Sequence, residues 1–272
     1  MQFRTIFMEK YIKHQEKKIH YKITGQGETL VLLHGYLESL KMWEEHQRVL
    51  SFKYQVISID LAGHGATANF SEIHSMPFMA ELVLEVLKQE NIKQCVMIGH
   101  SMGGYTTLAF AEKYPELLRG FGLFHSHASA DNEQGKRNRE RTIEIIKQDK
   151  GHFINQFIPS LFAPDNAMVY ASQIEKQINE ANAMPKESII SAMAGMKERQ
   201  STVDVLMDAK VPVLFIVGKQ DSRISTEKVL AQAALPSTAQ ILILGNSGHM
   251  GWIEEQEKTI AAVDGFMKLC AV

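Results

Sequence analysis

Short apolar runs with almost no polar interruption, separated by stretches of helical periodicity, restrict this chain more than any other feature. Residues 30–33, 56–59, 95–98 and 213–217 read Leu-Val-Leu-Leu, Val-Ile-Ser-Ile, Cys-Val-Met-Ile and Val-Leu-Phe-Ile-Val. A strand with one wet face alternates polar and apolar residues, so these runs predict strands, and the unbroken one at 30–33 a strand covered on both faces by helices. Between them, Trp43, Gln47 and Leu50 fall at helical spacing within 41–50. Ser75 and Pro77 open a second helix with an apolar stripe of Leu82, Val83, Val86 and Leu87. Strands alternating with helices imply an α/β fold built on a mostly parallel sheet with right-handed crossovers.

The flanks extend the pattern. Residues 9–14 and 18–24 read as a hairpin around Gln15-Glu16-Lys17, with Gly25-Gln26-Gly27 as a second turn. Residues 120–124 and 241–244 supply further strands, 226–235 a helix, and Ile260, Val263 and Met267 mark the last helix. After His125 the rhythm breaks, and the chain to about Asp208 is charged, Met-rich and helical in pattern. This predicts a helical lid at 127–208, inserted into a core formed by 1–126 and 209–272. The lid carries apolar Phe153, Phe157, Leu161, Phe162, Met193 and Met196, read mainly as helix packing, beside basic Lys136, Arg137, Arg139 and Arg141.

A formal net charge of -2 over 272 residues, without a long basic run, gives no electrostatic footprint for nucleic acid. The cluster Lys136-Arg137-Asn138-Arg139 reads as a solvated helix face. Cys95 in a buried strand and Cys270 near the end of the chain are poorly placed to pair, so free thiols in a reducing compartment are expected. Met1-Gln2-Phe3-Arg4-Thr5-Ile6 lacks the apolar core of a signal peptide, and no run is long enough to span a bilayer. The expectation is a soluble cytoplasmic protein, monomer or homodimer, with no membrane or nucleic-acid partner.

Chemistry is concentrated at Gly99-His100-Ser101-Met102-Gly103-Gly104, between the run at 95–98 and the helical pattern of Tyr105, Leu108, Ala109 and Ala111. A sharp strand-to-helix turn forces its central residue into a strained backbone and pushes its side chain outward, and small neighbours let the backbone pass. The Ser101 hydroxyl then stands at a helix N-terminus, where free N–H groups favour developing negative charge. The spacing is not that of a dinucleotide-binding loop.

Further motifs occur in order: His34-Gly35, Asp60-x-x-Gly63-x-Gly65, Gly218-x-x-Asp221 after a strand, and Ser247-Gly248-His249 after the last strand. Together with the Ser101 turn they make the chain similar to the α/β-hydrolase superfamily, serine-nucleophile branch. Ala62 and Thr67 depart from the family pattern, where proline and serine are common, in a turn that carries no chemistry. A serine hydroxyl needs a neutral imidazole within reach and a carboxylate to fix the imidazole tautomer. The resemblance implies Ser101, Asp221 and His249 in those roles, in the chain order Ser, acid, His. It also implies an oxyanion hole from the backbone N–H groups of Tyr36 and Met102, whose side chains help shape the acyl pocket. Leu37, His125, Phe162 and Met250 are expected to line the substrate pocket. His34 and His100 are read as structural supports.

Asp131 is a rival acid, and Asp221 could instead cap the following helix. His125, Ser126 and His127 with Asp131 could be read as a metal site, but no second ligand motif supports it, and no metal or other cofactor is expected. The favoured reaction is hydrolysis of a small carboxylic ester through an acyl-enzyme. Lactonase, carbon–carbon hydrolase and perhydrolase activities use the same residues. A ligand receptor on the same fold with slow turnover is the competing class. Basic lid residues facing inward would favour an acidic substrate.

Overall fold

The computed structural model describes residues 8–271; the reading of Met1 to Ile6 lies outside them. Its strands are β1 (Met8–His14), β2 (Lys17–Thr24), β3 (Thr29–Leu33), β4 (Gln55–Ile59), β5 (Cys95–His100), β6 (Leu118–Phe124), β7 (Val213–Gly218) and β8 (Ala239–Leu244). They form one sheet in the order β1-β2-β4-β3-β5-β6-β7-β8. The β1–β2 and β2–β4 pairs are antiparallel and the remaining pairs parallel. The hairpin turn holds two residues, not three: Gln15 and Glu16 both have positive φ (49° and 62°), and Lys17 already pairs with His14. Positive φ at both turn positions matches the right-handed twist of the flanking strands.

Helices cover both faces. They are α1 (Glu44–Leu50), α2 (Met76–Gln89), α3 (Met102–Lys113), α4 (Glu133–Phe157), α5 (Ala171–Ala183), α6 (Lys186–Glu198), α7 (Val203–Met207), α8 (Thr226–Ala233), α9 (Gly251–Glu254) and α10 (Gln256–Cys270). The Ser75 side chain accepts the Phe78 N–H and caps α2, as its position before Pro77 predicts. β3, β5 and β7 are buried along their whole length, which is why their sequences show no alternation. β8 closes the sheet as an edge strand with Ile241 and Ile243 exposed.

Register brings the chemistry-bearing segments together. Leu33 pairs with Gly99, Gly99 with Leu123, Phe124 with Ile216, and Gly218 with Leu244. The residues following β3, β5, β6, β7 and β8 therefore emerge along one edge of the sheet, where open α/β sheets gather ligands. Helices α4 to α7 all lie between β6 and β7 in the chain. α4 is broken at Asp149 (φ −149°, ψ 91°), whose carboxylate accepts the His152 N–H and restarts the helix. Both cysteines are free and buried. No helix among the described residues is long and apolar enough to cross a membrane.

Several buried histidines are held neutral. Burial pushes His46, His64 and His127 down to about 3 and His74 and His125 down to about 4. Unfolded histidines take up protons near pH 6.5, so the unfolded state binds more protons below that pH. Stability is full above pH 6.5 and falls as the pH drops toward 4. His100 works in the opposite sense: burial pulls it down, but the adjacent Glu38 carboxylate prevails and raises it. At pH 5 a fully buried neutral histidine costs up to about 2 kcal/mol. Differential scanning calorimetry should show the melting temperature falling by roughly 10 °C from pH 7 to pH 5; a level profile over that window would contradict the assignment.

Candidate active site

Ser101 stands between β5 and α3 with φ 49° and ψ −111°. For a residue with a Cβ this is a strained conformation, costing about 1–3 kcal/mol, and the surroundings hold it. Its N–H donates to the Phe124 carbonyl at 2.8 Å, and its carbonyl accepts the Ser126 hydroxyl at 2.8 Å. The glycines are required by space. A Cβ on Gly99 would lie 2.1 Å from the Gly103 carbonyl oxygen, and one on Gly103 would lie 2.5 Å from that of Leu33. Met102 begins α3, so its backbone N–H is among the helix's unpaired donors.

His249 follows β8, and its Nδ1 donates to Asp221 Oδ2 at 2.8 Å, which leaves Nε2 toward the cavity shared with Ser101. A second imidazole reaches the same oxygen: His125 Nδ1 lies 2.8 Å from Asp221 Oδ2. Asp221 Oδ1 accepts the backbone N–H groups of Arg223 and Ile224 at 2.8 and 3.0 Å. Burial alone would raise this carboxyl, but His249 and His125 hold it well below the usual carboxylate range. The α8 cap is Ser225, whose side chain accepts the Lys228 N–H, so Asp221 is not spent on that helix. His125 Nδ1, the Asp221 carboxylate and His249 Nδ1 lie within 4.8 Å of one another. The two ring nitrogens that would hold a metal there are the ones donating to Asp221, so the donor set suits a hydrogen-bonded cluster better than a cation.

A buried ion pair ties these loops together. Glu38 Oε2 accepts from His100 Nδ1 at 2.8 Å and from the Gly35 N–H at 2.7 Å, and Oε1 accepts from Trp252 Nε1 at 3.3 Å. The His100 Nε2 donates to the His249 carbonyl at 2.9 Å. His100 thus carries a proton on each nitrogen, in keeping with its raised pKa. His34 donates from Nδ1 to the Gly35 carbonyl and accepts the Leu61 N–H at Nε2, the neutral tautomer that burial favours. Glu254 holds the His249 loop by accepting the N–H groups of Gly248 and Met250 at 2.9 and 3.3 Å. Neither Glu38 nor Glu254 stands in a motif that sequence reading could single out.

A cavity of about 910 Å³ opens over Ser101 and His249. From the core it takes Tyr36, Tyr105 and the loop Ser222-Arg223-Ile224; from the segment between β6 and β7 it takes Phe153, Phe157, Met193 and Met196 among others. Four of the six apolar residues singled out there therefore face the cavity, while Leu161 and Phe162 do not. Of the four basic residues only Arg139 does.

The expected pocket lining needs correction. Leu37, His125, Phe162 and Met250 are all buried and absent from the cavity wall. Leu37 has φ 63° and turns into the core, His125 is committed to Asp221, Phe162 packs near Tyr170, and Met250 is wholly enclosed. Met102 is likewise wholly buried, so its side chain does not shape the pocket, whereas Tyr36 does. Asp131 forms ion pairs with Arg139 and with Arg199, the latter at 2.9 Å, and has no contact with His249 among the described residues.

The arrangement offers a hydroxyl, an imidazole open to the same cavity, and a buried carboxylate on that imidazole's far nitrogen, the parts that acyl transfer uses. The chain is 25% identical over 254 residues to the dihydrolipoyllysine-residue acetyltransferase component of an acetoin cleaving system from Pseudomonas putida, covering 91% of this chain and 66% of that longer relative. It is 23% identical over 257 residues to an (E)-2-((N-methylformamido)methylene)succinate hydrolase of Acinetobacter baylyi, covering 92% of this chain and 94% of the relative. Among solved structures, a malate-bound thermophilic esterase from Thermogutta terrifontis superposes with a TM-score of 0.90 at 26% identity, covering 98% of this chain and all of the other. A family model described as the alpha/beta hydrolase fold matches residues 28–256. The chain therefore belongs to the α/β-hydrolase fold family.

Proposed function

We propose that this protein is a serine hydrolase that cleaves a carboxylic ester of a small substrate through an acyl-enzyme on Ser101. The observation that carries the reading is that Ser101 and His249 open into one cavity while the other face of His249 is hydrogen-bonded to a buried carboxylate. In this reading His249 Nε2 takes the hydroxyl proton as Ser101 Oγ attacks the ester carbonyl. The tetrahedral oxyanion is met by the N–H groups of Tyr36 and Met102. The intermediate collapses, the proton passes to the leaving alcohol, and water then repeats the sequence to release the acid. Asp221 stabilises the imidazolium throughout. Helices α4 to α7 act as a cap that encloses the substrate, a role supported by Phe153 and Phe157 of α4 and Met193 and Met196 of α6, which line the cavity.

The similar proteins include an esterase and a succinate-derivative hydrolase, which favours hydrolysis and leaves the bond type to experiment. A panel of p-nitrophenyl esters from acetate to decanoate tests the proposal. Multiple turnovers on short-chain members are expected. Release of a single equivalent of nitrophenol followed by arrest would instead favour a receptor built on this fold.

A further inference from the structure

We infer that Arg223 forms an anion subsite in the cavity, so that the substrate carries a carboxylate in addition to the bond that is cleaved; this rests on the serine-hydrolase reading above. Arg223 is the second residue after Asp221 and lies on the cavity wall with Ser101 and His249. Its backbone cannot wander: Asp221 Oδ1 accepts both its N–H and that of Ile224. The same carboxylate that orients His249 therefore fixes where the Arg223 side chain starts.

The side chain is also placed. The guanidinium lies over the Phe157 ring with its central carbon 4.7 Å from the ring centroid, and one Nη2 hydrogen goes to the Ser160 hydroxyl. The neighbouring Ser222 hydroxyl donates to the Ser160 carbonyl at 2.8 Å, so this loop is latched to the segment that roofs the cavity. Stacking of this kind holds the guanidinium plane while leaving its edge for a ligand. Of five N–H donors, only the one to Ser160 has a protein acceptor among the described residues.

Its charge is uncompensated by contact. No carboxylate among the described residues stands within ion-pair distance of Arg223, whereas the other cavity arginine, Arg139, is neutralised by Asp131. Arg199, behind Tyr105, is paired with the same aspartate. Asp149 also borders the cavity, but its carboxylate accepts the His152 N–H and forms no ion pair with Arg223. The cavity thus presents a forked, oriented donor with vacant hydrogens, the geometry that recognises a carboxylate.

The test compares p-nitrophenyl hydrogen adipate with p-nitrophenyl hexanoate, esters of equal chain length that differ by a terminal carboxylate. In Arg223→Gln the ratio of kcat/KM for adipate to that for hexanoate should fall about 10- to 100-fold, mainly through KM for the adipate. Arg223→Lys should recover part of that ratio by restoring the charge without the fork. A ratio unchanged in both variants would overturn the inference.

A binding readout separates this failure from failure of the hydrolase reading. Adipate, but not the uncharged hexanamide, should raise the melting temperature of the wild-type protein and lose that effect in Arg223→Gln. That result supports the subsite even if neither ester is turned over. Equal stabilisation of both proteins by adipate would overturn it even if both esters are.

Discussion

Ser101→Ala is expected to lower kcat on p-nitrophenyl butyrate by about 10⁴- to 10⁶-fold, with the melting temperature unchanged within about 2 °C. Losses of this size follow when the attacking atom is removed, because the base and oxyanion donors act through it and have little to do alone. The fold should not register the change. Among the described residues Ser101 is held by its backbone N–H and carbonyl, while its hydroxyl makes no hydrogen bond within the protein. Alanine meets the same strain at φ 49° that serine does. Initial rates and calorimetry on the same preparation check both halves. Residual activity within tenfold of wild type would remove Ser101 from the chemistry.

Asp221→Asn is expected to lower kcat by about 10³- to 10⁴-fold with a smaller change in KM. The carboxylate accepts four hydrogen bonds, two backbone N–H groups on Oδ1 and two imidazoles on Oδ2. An asparagine offers one oxygen and one amide nitrogen. With the oxygen kept on the two backbone donors, the amide hydrogens face His125 and His249 and push both rings to the tautomer protonated at Nε2. His249 then has no lone pair to offer Ser101. Turning the amide over would instead set its hydrogens against the backbone N–H groups, which cannot reverse. Steady-state kinetics at pH 8 separate the cases, since a variant retaining more than a tenth of wild-type kcat would mean that His249 does not need this carboxylate.

Much of the fold is legible in the sequence because parallel strands buried on both faces leave no alternation to confuse, as at 30–33 and 213–217. Strand ends in such a sheet converge. That convergence brings Ser101, Asp221 and His249 from distant parts of the chain to one edge, since each stands in the turn or loop that follows an apolar run. The residues that hold them are less visible. Glu38 and Glu254 are single carboxylates in otherwise ordinary segments, and their function exists only once Gly35, His100, Trp252 and the His249 loop surround them.

Substrate-facing residues are the hardest to read. Leu37 and Met250 adjoin candidate catalytic residues in sequence, yet a positive φ at one and full enclosure at the other turn them inward. On α4, Arg137, Arg139 and Arg141 look equivalent in the sequence, but steps of two residues turn about 200° around a helix, so Arg139 faces the cavity and its neighbours do not. His125 stands at the end of β6 where a pocket residue was expected, and its own positive φ of 48° turns it to Asp221 instead.

The proposed function stands on Ser101 as the nucleophile and His249 as the base that activates it. Intact-mass and peptide mass spectrometry after exposure to a fluorophosphonate reads both roles in one experiment. One adduct per chain is expected, mapped to Ser101, absent from Ser101→Ala and slowed by at least about 10²-fold in His249→Ala. An adduct on another residue, or unaltered labelling after loss of His249, would contradict it.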